Sequence, residues 1–186
     1  MIGTLPHSLP VRGKEYPINA DFRNILIFFE ACGDPELSEE EKLYILLRRL
    51  YGSGLKEITG NAIREAAERA RWFVDCGKEE KDRIPRKLID WEQDASLIFP
   101  AVNRVAGREV RSADFIHWWT FAGYFMEIEG GTFSTVLSIR QKKSRGKKLE
   151  QWEKEFYRQN KELCDLRKRY TAEEQEEIDY WERLMG

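Results

Sequence analysis

The chain is poor in the residues that build ready-made chemistry. Its 186 residues hold two histidines, His7 and His117, and three cysteines, Cys32, Cys76 and Cys164. No CxxC pair exists to hold zinc, and an odd, scattered set of thiols reads as reduced rather than as a disulfide framework. GxSxG, P-loop and HExxH patterns are all missing, so catalysis would have to rest on scattered carboxylates, which any chain this charged supplies. The expectation is a protein that is not an enzyme, with no catalytic residues, no cofactor and no metal. No stretch approaches the ~18 consecutive apolar residues of a transmembrane helix, and no charged start precedes an apolar run at the N-terminus. A cytoplasmic protein is expected. Charge of one sign is also lacking. With 31 cationic and 33 anionic side chains the formal net charge is -2, which argues against a uniformly nucleic-acid-binding surface but not against a local patch.

What is present is enough apolar matter for a core: 41% hydrophobic and 12% aromatic residues. The length suits one domain, or one domain with an extension. The densest stretch runs from Ser112 to Arg140. At helical spacing Phe115, Trp118, Ala122 and Phe125 share a face, while Ile116, Trp119 and Phe121 occupy much of the remaining circumference. A helix apolar on nearly all sides belongs at the centre of a core. Gly130-Gly131 stops it, and Thr132 can cap a shorter helix ending near Arg140.

The other elements follow from caps and periodicity. Residues 1–17, with Pro6, Pro10 and Pro17, read as extended. Asn19 or Asp21 can cap a first helix with Phe22, Ile25, Leu26 and Phe29 on one face. Ser38 with Glu41 forms a capping box for a second helix that ends near Tyr51-Gly52. A third spans 61–74, residues 76–86 read as a loop, and a fourth starts near Asp90, with Pro100 expected to kink or split it. The run Arg140 to Lys148 carries six positive charges and reads as a basic linker. Beyond it Leu149, Phe156, Leu163 and Tyr170 recur every seven residues, with Trp152 and Leu166 between, as in a coiled-coil seam. Thr171 with Glu174 opens a final acidic helix bearing Ile178, Trp181 and Met185. The expected fold is all-α: a compact helical bundle over 18–140 after an extended segment 1–17, with 141–186 forming a basic linker and a protruding, charged C-terminal arm.

Three constellations merit weighing. His117 with Asp90, Asp94 or Asp114 has the ligand types of a metal site, but hydrogen bonding inside the core is the favoured reading, with Asp94 or Asp114 accepting from His117 or an indole. Trp72, Trp91, Trp118 and Trp119 read as core, whereas Trp152 and Trp181 sit on charged helices where either a partner or the rest of the chain can cover them. The basic patch of Arg140, Lys142, Lys143, Arg145, Lys147 and Lys148 can bind phosphates, or can attract the acidic final helix.

Several of these motifs resemble a family of phage proteins known by a gene-product number, fifteen. The matching residues are Asp21-Phe22-Arg23, the helical pair up to Tyr51-Gly52, Asp90-Trp91-Glu92-Gln93-Asp94-Ala95, His117-Trp118-Trp119-x-Phe121 and Ile139-Arg140-Gln141-Lys142-Lys143. The likeness spans residues 16–170. It implies a tail assembly chaperone of a phage or prophage, working in the bacterial cytoplasm to keep the tape measure protein soluble, with other tail proteins and further copies of itself as additional partners. The expected holding surface is the seam of Leu149, Trp152, Phe156, Leu163 and Leu166, together with Trp181. The alternative is a nucleic-acid-binding structural or regulatory protein acting through residues 140–148.

Overall fold

The computed structural model describes residues 3–78 and 88–185. The protein is mostly helical, with a small two-stranded sheet, so the all-α expectation needs one correction. β1 (Ser8–Val11) and β2 (Lys14–Pro17) pair antiparallel, Leu9 opposite Tyr16 and Val11 opposite Lys14. Arg12 and Gly13 both take positive φ, as a two-residue hairpin whose twist matches its strands requires. Pro10 lies opposite Glu15, a non-hydrogen-bonded position in such a ladder, so its missing donor is not needed. Leu9, Val11 and Tyr16 turn inward and are buried. Three prolines masked an alternation only four residues long.

The first two helices match their caps. α1 (Phe22–Cys32) starts at Asp21, whose side chain accepts the Arg23 N–H. α2 (Glu39–Tyr51) opens on the reciprocal Ser38–Glu41 box. Gly52 ends α2 at φ 56°, and a Cβ there would meet the Asn19 amide at 3.0 Å, so glycine is required twice over. α1 packs on α2 and on α5, and α3 (Ala62–Val74) packs on α2 and β1. The alanines Ala66, Ala67 and Ala70 let α3 come close. The loop expected from 76 to 86 lies outside the described residues from 79 onward.

α4 (Ala95–Ala106) begins later than expected and runs unsplit through Pro100. Residues 90–94 form a turn held by their own carboxylates. Asp90 accepts the N–H groups of Glu92 and Gln93, while Asp94 accepts that of Asp90. α5 (Trp118–Met126) is likewise shorter than the apolar run. Residues ahead of it are extended: Ile116 O accepts from Phe22 N–H, and Ala20 O accepts from Trp118 N–H. Phe115 therefore leaves the expected apolar face and is half exposed. The remaining rings behave as the pattern demands, with Trp118 and Phe121 buried and Phe121 stacked on Phe22 at 4.4 Å.

α6 (Gly131–Ser144) is capped by Gly130 rather than Thr132 and continues past Arg140. The boundary expected at residue 141 thus falls inside a helix, and the first part of the basic run is no linker. α7 (Gln151–Gln159) and the single turn α8 (Lys161–Cys164) fold back onto α6. There Leu149, Phe156 and Leu163 cover Val136, Ile139 and Cys164 in a second small core. Asn160 breaks the helix between α7 and α8, and none forms over 165–171, so no continuous seam exists. α9 (Ala172–Met185) buries no residue. Of the expected arm, only α9 lacks a packed face.

Candidate functional site

The residues weighed as metal ligands, Asp90, Asp94, Asp114 and His117, do not converge. Asp94 accepts two guanidinium hydrogen bonds from Arg140, at 2.6 and 2.8 Å, and both side chains are buried. Asp90 is paired with Arg169 at 2.8 Å. His117 caps α5: its Nδ1 accepts the Trp119 N–H at 3.0 Å, leaving Nε2 to donate to Pro6 O at 2.9 Å. Burial pushes its pKa below the ordinary value, so the neutral ring this pattern needs is the stable form. Asp114 is not its partner, and neither indole turns to an aspartate. Trp118 Nε1–H donates to Val74 O and Trp119 Nε1–H to Phe73 O, both at 2.9 Å. The two tryptophans thereby bond carbonyls at the end of α3, that of Phe73 being shared with the Cys76 N–H at 3.1 Å.

The basic run divides in two. Arg140 spends its guanidinium on the interior, donating to Cys164 O, Leu88 O and Leu163 O besides Asp94. One planar fork thus joins α6 to the start of α4 and to the end of α8. Lys142 donates to Glu153 at 2.7 Å. The Glu153 side chain is 1% exposed, and the Lys142 hydrogen bond, with help from the Glu150 N–H, holds its carboxyl below the usual range. Lys143 reaches Asp165 and the Tyr157 hydroxyl at 2.6 and 2.7 Å. Burial alone would raise the Asp165 pKa, but these hydrogen bonds prevail and lower it. Only Arg145, Lys147 and Lys148 stay exposed with no ion pair among the described residues. A phosphate-binding surface drawn from the whole run would first have to dismantle the α6–α7–α8 packing.

The expected partner seam divides in the same way. Leu149, Phe156 and Leu163 are committed to α6, and Leu166 is half-buried. Trp152 and Trp181 stay outside, each more than half exposed.

A different apolar surface is left open. The end of α1, the end of α3, the 89–92 turn and α5 surround a cleft of about 280 Å³. Its walls include Phe29, Ile89, Trp91, Trp118, Phe125 and Met126. Phe29 stacks on Trp91 at 5.3 Å, Trp91 meets Phe125 at 5.1 Å, and Phe29 meets Trp118 edge-on at 5.7 Å. The cleft is thus floored by rings already locked against one another, a preformed apolar pocket of small-molecule or side-chain size. Glu30, Asp90 and Glu92 stand at its mouth, the last two bridged by Arg169 at 2.8 and 2.9 Å. Cys76 also lines it, but burial raises that thiol to about 11, so it is no nucleophile at neutral pH. The arrangement can grip apolar side chains.

Sequence reasoning took Trp91 for a residue on the buried side of α4 and so missed this cleft. The signal available was Trp91 lying between two carboxylates, Asp90 and Glu92, an odd setting for a residue meant to be fully interior. Arg140 gave no comparable signal, because it opens a run of six cations and looks like one of them.

A family model described as bacteriophage Gp15 protein matches residues 1–166. No curated protein and no solved structure matches the chain.

Proposed function

The chain belongs to the bacteriophage Gp15 protein family, and from that membership we propose that it is a tail assembly chaperone which keeps the tape measure protein soluble until the tail closes around it. The observation that carries this reading is the open aromatic cleft, whose aromatic walls all lie within the family-matched residues. Tape measure proteins are long helices with apolar stripes. A helix laid over the cleft can seat one or two side chains against Phe29, Trp91 and Phe125 in a helix-in-groove mode. Met126, half exposed at the edge, widens the contact and can repack. A pocket this small gives modest affinity at each site, which suits a holder that must let go. Several copies would then act along one tape measure. The work takes place in the host cytoplasm, where tail subunits assemble, and no helix among the described residues is long and apolar enough to cross a membrane.

We place the holding surface at the cleft rather than at the seam expected from the heptads, because Leu149, Phe156 and Leu163 of that seam already cover α6. Co-expression with the tape measure protein of the same phage tests the assignment. Met126→Arg blocks the mouth without touching the core, and Trp91→Ala empties one wall. Both should leave the tape measure protein insoluble, whereas Trp152→Ser should not. Recovery of a soluble complex with both cleft variants would sink the reading.

A further inference from the structure

α9 is built to be covered, yet among the described residues nothing buries any part of it. Fourteen residues long, it lines up Ile178, Trp181 and Met185 on one face, with Leu184 beside them. Trp181, Leu184 and Met185 are all more than half exposed. Glu177 and Glu182 flank that stripe, and the helix carries six carboxylates against the single cation Arg183. A lone helix of this length is marginal in water and is normally stabilised through its apolar face. Among the described residues, the only side-chain hydrogen bond joining it to the body runs from the Ala172 N–H to Glu36, at its first residue.

The matching surface sits elsewhere on the same molecule. At the corner between α6 and α7, Arg145, Lys147 and Lys148 are exposed with no ion pair among the described residues. Trp152, 58% exposed, follows at the start of α7, four residues after Lys148. The corner offers three free cations followed by an exposed ring, which complements an acidic helix with an apolar stripe. Within one chain the two do not meet. Among the described residues, no α9 carboxylate pairs with this corner. The strand of chain ahead of α9 is strapped the other way. Arg169 is held by Asp90 and Glu92, and Gln93 bonds the backbone at Glu162, Asp165 and Arg167. Those bonds carry α9 towards Glu36, in the loop between α1 and α2.

We propose that α9 of one copy docks on the α6–α7 corner of a second copy, with Trp181 against Trp152 and Glu177 and Glu182 against Lys147 and Lys148. The contact is heterologous, so every copy uses both surfaces and association either closes a ring or extends a row. A helix about 21 Å long covers less than the ~1,000 Å² of a durable interface, so the association is weak, concentration-dependent and sensitive to salt. It uses neither the aromatic cleft nor the tape measure protein, and it stands or falls independently of the function proposed above.

Sedimentation velocity on the full chain reads the result. The average mass should rise with concentration in about 0.05 M salt and fall back to that of the monomer in about 0.5 M salt. Glu177→Lys with Glu182→Lys should give a monomer throughout, as should Lys147→Glu with Lys148→Glu. Mixing the two charge-reversed proteins should restore association, because each then presents what the other lacks. Restoration excludes misfolding as the cause of the separate losses, and unchanged near-ultraviolet circular dichroism checks it directly. A wild-type chain that stays monomeric at low salt, variants that associate as well as wild type, or a mixture that stays monomeric would each overturn the proposal.

Discussion

α7 and α9 begin alike. Each is a charged helix whose third residue, Glu153 or Glu174, reaches back to accept the N–H of the residue just ahead of the helix. Each also carries an exposed tryptophan, Trp152 or Trp181. Their fates differ because of what the body offers them. α7 finds Val136 and Ile139 of α6 as an apolar floor, and Lys142 positioned for Glu153. α9 finds neither. Amphipathicity is thus a demand for cover, and a helix is drawn into a fold only where apolar area and polar partners are matched at the same place.

The comparison breaks hardest at Arg140. Arg140→Ala leaves Asp94 buried without its cation and also strips donors from three backbone carbonyls. The expected loss is about 3–5 kcal/mol of unfolding free energy, read from urea denaturation followed by tryptophan fluorescence. A loss below 1 kcal/mol, against that ~3–5, would mean that α8 is not held by this fork. Glu153→Ala removes the partner that anchors α7 and should cost about 2 kcal/mol. It should also speed amide exchange in α7 until it resembles α9. If α7 stays protected, the apolar floor alone holds it, and the polar half of the argument fails.

Acid sharpens the contrast without mutation. The carboxyls of Glu153 and Asp165 have pKa values lowered by folding. Their contribution is therefore complete above the ordinary carboxylate values and fades as the pH falls through the lowered ones. α7 and α8 should loosen in that window, seen as a change in amide exchange over 151–164. The Lys143–Asp165 part is small, since that pair is more than one-third exposed. His117 adds a separate, earlier slope. Its pKa is also lowered, so stability should begin to fall as the pH drops below the ordinary histidine value of 6.5. His117→Asn keeps an acceptor for the Trp119 N–H while removing the titration. It should flatten that slope at a cost of about 1 kcal/mol from the lost bond to Pro6. Persistence of the slope in the variant would assign it elsewhere.

The smallest effect belongs to α9. Truncation after Thr171 should shift the unfolding free energy of the dilute protein by less than about 0.5 kcal/mol, the range of surface changes that disturb no packing. A larger loss would show that α9 shares the core after all.

Much of this fold could be read directly. Asp21, Ser38 and Thr171 announce their helices because a cap is a local bargain between a side chain and the next few N–H groups. Phe22, Ile25, Trp118 and Phe121 announce the core because helical periodicity is local as well. The hairpin went unread because its signal is short and lies among prolines, and α5 was overextended because Ile116 pairs with Phe22, far away in the chain. The cleft was illegible for the same reason. Phe29, Trp91 and Phe125 are separated by dozens of residues, and nothing in their own surroundings says that they close on one another.

The helices, their caps and their apolar faces are written locally in the chain, since each depends on residues within a turn or two. Which apolar faces are consumed, whether Arg140 is a solvated charge or a buried rivet, and which tryptophans remain open were decided only in three dimensions. Burial and ion pairing depend on partners such as Asp94 and Leu163, and distance along the chain carries no information about distance through space.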